Sequence, residues 1–134
     1  AAAARRANEA FLFNLIALES LVLGSGNKTE IGFKLRIRVA QLVGGRRVAA
    51  RQQIVQWVKE LYDTRSKAVH EGERDVDAES QGRAAQLVRN SILTLLFSQR
   101  VRGADRKNLE KWFERQILKC SHRHAGGMPD RGRW

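Results

Sequence analysis

An all-α fold is predicted by three features of this sequence. Apolar residues recur every three or four positions over long stretches, glycine and asparagine punctuate those stretches, and the single proline, Pro129, lies near the C-terminus. Proline removes a backbone donor and clashes with the preceding helical turn, so a body without it leaves long helices unobstructed. No internal repeat or low-complexity linker divides the chain.

The first helix is expected from about Arg5 to Leu23, with Leu12, Leu15, Ile16, Glu19 and Leu23 on one stripe and Gly24-Ser25-Gly26-Asn27 as its stop. Thr29 then caps a second helix reaching about Val43. After Gly44-Gly45, a third helix starts near Arg46 and carries Ile54, Val58, Leu61 and Val69 at helical spacing. It ends near His70, where Glu71-Gly72-Glu73 interrupts the period. A fourth helix spans roughly Ala78 to Val101, with Ala84, Leu87, Val88, Ser91 and Leu95 inward and Gly103 closing it. Asp105 caps a short fifth helix with Leu109, Trp112, Phe113, Ile117 and Leu118, and Ser121 to Trp134 reads as a polar, glycine-rich tail. The expected architecture is one helical domain over residues 1–120 and a tail over 121–134. The brief alternation from Ile31 to Val39 is the stretch most compatible with a strand.

Composition narrows the partners. Twenty-five Lys and Arg face 14 Asp and Glu, a formal charge of +11, and a field of that sign concentrates polyanions, nucleic acid first among them. The lone cysteine, Cys120, permits no intramolecular disulfide, which fits a reducing, cytoplasmic setting. Phe11 to Leu23 contains Asn14 and Glu19 and is too short for a membrane span, and it lacks a secretory cleavage site. The start at Ala1 instead of methionine suggests a fragment of a longer protein.

Two charges fall where apolar residues belong. At about 100° per residue, Ile54, Val58, Leu61, Arg65 and Val69 share a narrow sector, and Glu19 falls among the leucines of the first helix. A buried ion needs a partner, so Glu19 and Arg65 are expected to face each other, with the carboxylate holding the guanidinium through a fork of hydrogen bonds. The alternative is that Arg65 reaches the surface along its aliphatic stem. His70 lies five residues after Arg65, about 140° round a regular helix. The two share a site only if the helix loosens before His70 or if two copies of the helix meet.

The run Leu61-Tyr62-Asp63-Thr64-Arg65-Ser66-Lys67-Ala68-Val69-His70-Glu71-Gly72-Glu73 resembles the arginine-to-histidine motif of HEPN domains in the form found in the ApeA-like branch. Ala17-Leu18-Glu19-Ser20-Leu21 and Thr29-Glu30-Ile31-Gly32-Phe33-Lys34-Leu35 are similar to the upstream helices of that branch, and Leu87 to Phe97 to its fourth helix. The likeness covers about residues 10–100.

That resemblance implies a four-helix bundle, here with an added short C-terminal helix. It also implies a homodimer with a composite site, and metal-independent RNase activity in phage-defence, abortive-infection or toxin systems, with a sensor domain or antitoxin as possible partners. RNA, as tRNA or another single strand, is the implied substrate, and no cofactor is needed. Arg65 would bind the scissile phosphate and His70 would act as general base or acid. Glu19, Tyr62, Asp63 and Ser66 would support them, and Lys67 and Arg74 would follow the RNA backbone. The same resemblance admits a catalytically silent module serving dimerisation or nucleotide binding in a larger protein. Cys120, His122 and His124 crowd a polar tail with no fourth ligand in view, so no metal site is expected there, and no P-loop or dinucleotide fingerprint is found.

Overall fold

The computed structural model of the protein describes residues 2–24, 30–70, 75–101 and 106–122. Five helices occupy them: α1 (Ala2–Val22), α2 (Ile31–Val43), α3 (Val48–His70), α4 (Ala78–Phe97) and α5 (Arg106–His122). The fold is all-α, with no strand among the described residues. The stretch from Ile31 to Val39 is helical, because Leu35, Val39 and Leu42 bury one face at helical spacing.

The chain divides into two compact units, Ala1–Arg102 and Gly103–Trp134. In the first, α1 packs mainly on α4 and α2 mainly on α3, with α2 also meeting α4. Its core is built from Phe11, Leu15, Leu18 and Val22 of α1, Leu35, Val39 and Leu42 of α2, Ile54, Val58 and Leu61 of α3, and Ala84 and Leu87 of α4. In the second unit, α5 runs through residue 120 into the segment expected to be tail, and Trp112 and Phe113 meet edge to face at 5.1 Å.

Three expected features are corrected. The buried stripe of α1 is rotated by about one position from Leu12-Leu15-Ile16-Glu19-Leu23: Ile16 is exposed and Glu19 lies at the edge of the buried face. This helix is apolar over most of its circumference, and the rotation buries Phe11, its largest inward side chain. The stripe of α3 stops at Leu61, because Val69 is 62% exposed. With 23 residues against 13 in α2, α3 is about 34 Å long against about 20 Å, so its last turns outrun the partner it packs on. Finally, α4 ends at Phe97. Ser98 turns extended, its hydroxyl accepts from the Arg100 N–H at 3.3 Å, and a local turn replaces the helix expected up to Val101.

Helix ends fix how the elements meet. The residue ahead of α2 is Glu30, in the left-handed region and without a side-chain cap, while Thr29 lies outside the described residues. Asp77 caps α4 by accepting from the Ser80 N–H at 2.8 Å and from the Ser80 hydroxyl at 2.7 Å. These two bonds, the backbone one first, hold its carboxyl below the usual aspartate range. Its stabilisation is therefore present above the unfolded aspartate pKa, about 3.9, and is lost as pH falls through the lower folded value. Asp77→Ala is expected to cost about 1 kcal/mol near neutral pH. Urea unfolding at pH 7 and pH 3 checks this, with the difference from the parent shrinking at the lower pH.

Asn8 Oδ1 accepts from the Val76 N–H at 2.9 Å, so α1 and α4 begin at the same end. Arg100, just past α4, reaches the Gln41 carbonyl near the close of α2 at 2.9 Å, so α2 and α4 finish together. Arg38 of α2 reaches the Val22 carbonyl at the end of α1 at 2.9 Å.

Candidate functional site

The packing of α1 near α3 brings Glu19 to Arg65. Arg65 Nη1 donates to Glu19 Oε1 at 2.7 Å, with side-chain exposures of 34% and 25% respectively. The expected fork is replaced by a three-residue arrangement, because the Tyr62 hydroxyl donates to the same Glu19 oxygen. Tyr62 precedes Arg65 by three residues, so the two side chains are neighbours on α3, and the guanidinium carbon sits 5.6 Å from the centre of the tyrosine ring. Burial first, and then the hydrogen bond to and charge of Glu19, push the phenol pKa well up. Arg65 opposes the shift without cancelling it. Tyr62 therefore stays a neutral donor across the physiological range. Glu19 anchors the cation, Tyr62 anchors Glu19, and the arginine keeps about a third of its surface in solvent.

This is a chemically competent arrangement for an anion. An arginine presents five donors in a rigid fork, and one bond to Glu19 leaves the geometry to meet a phosphate from the solvent side. Stem packing alone does not explain Arg65, since its guanidinium is held by a specific carboxylate.

The remaining motif residues fall elsewhere on the helix. α3 is continuous through His70, so the helix does not loosen, and the histidine is turned about 140° from Arg65. His70 is exposed, as are Asp63 and Ser66, and these three fall on one side of α3. Ser66 lies between the bearings of Arg65 and His70, at about 100° from the arginine. Lys67 is exposed beside Asp63, at about 200° from the arginine, and borders a shallow cleft of about 100 Å³ lined by Thr64, Lys67, Ala68, Asp75 and Val76. That volume is below the roughly 300 Å³ at which small-molecule pockets begin. Arg74 lies outside the described residues. So do His124 and the side chains of Cys120 and His122, and no cluster of three metal-ligating residues occurs among the described residues.

The hydroxyl contact of Tyr62 is the feature that sequence reading left least defined. Its signal was present in the three-residue spacing to Arg65, but a tyrosine at that position serves packing equally well. Elsewhere on α3, Arg83 of α4 bonds Glu60 at 3.0 Å, pairs with Glu79 and lies 5.3 Å over Trp57, which ties the outer faces of α3 and α4 together. No helix among the described residues is long and apolar enough to cross a membrane. Comparison with protein-family models, with curated proteins and with solved structures finds no match to this chain.

Proposed function

We propose that this chain is a HEPN-type, metal-independent endoribonuclease acting in the cytoplasm, in a defence or toxin setting, as a homodimer. The observation that carries the reading is Arg65, held by Glu19 and Tyr62 with an open edge, five residues before an exposed histidine in a chain of net charge +11.

RNA carries its own nucleophile. Attack of the 2′-oxygen on the adjacent phosphorus forms the new P–O2′ bond and breaks the P–O5′ bond, leaving a 2′,3′-cyclic phosphate and a free 5′-hydroxyl. The 2′-proton must go to a base, a proton must reach the departing O5′, and charge building on the phosphoryl oxygens must be met. Arg65 meets that charge and His70 handles the protons. Because the two diverge on one helix, a site completed by a second copy supports the chemistry better than a single chain does. Phe13 and Ile16 on α1, with Ile92, Leu93, Leu96 and Phe97 on the adjoining α4, are exposed and give a second copy an apolar surface to cover. Asp63 and Ser66 flank the histidine as supporting groups, and Lys67 adds to the basic field.

The reading is tested by incubating the chain with total tRNA, a labelled single-stranded RNA and a DNA of the same sequence. Cleavage of RNA to 2′,3′-cyclic phosphate ends, with the DNA intact, is the expected outcome. Cleavage of both strands would exclude 2′-OH attack.

A further inference from the structure

About 26 Å along α3 from Arg65, a second group of cations gathers on the turn between α2 and α3. Arg46 and Arg47 stand in the turn itself. Arg51 Nε donates to the Gly45 carbonyl at 2.8 Å, and Arg100 Nη2, arriving from beyond α4, donates to the Gln41 carbonyl at 2.9 Å. Two guanidiniums from distant parts of the sequence are thus pinned over the five residues from Gln41 to Gly45.

The glycine pair makes that approach possible. A Cβ on Gly44 would lie 2.6 Å from the Ala40 carbonyl oxygen and 2.9 Å from Arg51 Cγ. At Gly45, where φ is +61°, a Cβ would lie 3.2 Å from Arg100 Nη1. Burial first, then the charges of Arg51 and Arg46, lower the pKa of Arg100, as like charges held close together do.

Capping accounts for part of this, since Arg100 satisfies a carbonyl in the last turn of α2 that the helix cannot. Capping does not account for Arg46 and Arg47. Both are exposed, and they precede a helix whose first turn holds no acidic residue, so they add positive charge to an end already positive. The exposed like charges of Arg46 and Arg47, side by side on the turn, favour an anion there, and each guanidinium carries five donors that can meet a phosphate.

We propose that the Gly44-Gly45-Arg46-Arg47 turn, held in place by Arg51 and Arg100, is a phosphate-binding site in which Arg46 and Arg47 grip the backbone of single-stranded RNA at a distance from Arg65. This inference rests on RNA being the polyanion the chain meets, and it does not require that any bond be cleaved.

The test is fluorescence anisotropy of the full chain with a labelled 2′-O-methyl RNA strand, which lacks the nucleophile and so is not consumed. Arg46→Glu/Arg47→Glu is compared with Arg5→Glu/Arg6→Glu, which changes net charge equally at exposed positions of α1. The expected result is at least tenfold weaker binding by the first variant alone. Its salt dependence should also be shallower by about 1.4 in log–log slope, at about 0.7 for each of two lost phosphate contacts on a single strand. Equal weakening by both variants would show a diffuse field and overturn the site. A parent that is protected from thermal unfolding by inorganic phosphate but does not bind the strand would assign the turn to a free anion and overturn it equally. Strand binding that depends on Arg46 and Arg47, in a protein that cleaves no RNA, would uphold this site while removing the nuclease reading.

Discussion

Mixing Arg65→Ala protein with His70→Ala protein is expected to restore about a quarter of the parent RNase activity, although each variant alone is inactive. The expectation follows from the unbroken α3, which turns His70 about 140° away from Arg65. If the arginine of one copy works with the histidine of its partner, a mixed dimer holds one intact site and one doubly damaged site. Random exchange makes about half the dimers mixed, so about a quarter of all sites are intact. Each single variant is expected to lose at least about 10²-fold in rate, the lower part of the range for removing a positioned acid or base. The check is cleavage rate against mixing ratio after subunit exchange, with a maximum near equal amounts. A flat, inactive profile in variants that demonstrably exchange subunits would place both residues of a site in one chain.

Charge reversal at the anchor gives the second large effect. Glu19→Lys sets a cation beside Arg65 and removes the acceptor that the Tyr62 hydroxyl uses. Arg65→Glu sets two carboxylates together. Each is expected to lower stability by about 1–3 kcal/mol, less than for a fully buried pair because both side chains keep part of their surface in solvent. At about 4–8 °C per kcal/mol for a domain of this size, thermal unfolding resolves the difference. The double swap, Glu19→Lys with Arg65→Glu, should recover part of the lost stability, since opposite charges again face each other and a phenol can accept from an ammonium. RNA cleavage should stay absent in the double swap, because the phosphate would now meet a carboxylate. A double variant no more stable than the weaker single one would remove the pairing from the account.

The pairing itself was legible in the sequence because a charge inside an apolar period has few physical solutions. Ile54, Val58 and Leu61 are buried on α3, and Arg65 continues their line. The phase of α1 was less legible. Two overlapping stripes on that helix are apolar, and only the packed neighbours choose Phe11 and Leu18 over Leu12 and Ile16. The exposure of Val69 had the same origin: periodicity records which face a helix would bury but not how far its partner helix reaches. The end of α4 at Phe97 was set by Ser98 hydrogen-bonding to nearby backbone, which competes with a helix that Gln99 to Val101 could otherwise continue. The arginine turn was visible as Gly44-Gly45-Arg46-Arg47, but Arg100 joins it only through the fold, from more than fifty positions away.

The most direct measurement of the central claim is cleavage of tRNA and labelled single-stranded RNA in the presence of EDTA by the parent, Arg65→Ala and His70→Ala proteins, each of confirmed helical fold. Cleavage by the parent alone, unaffected by the chelator, is the expected result. An intact substrate with the parent, or equal cleavage by all three proteins, would contradict it.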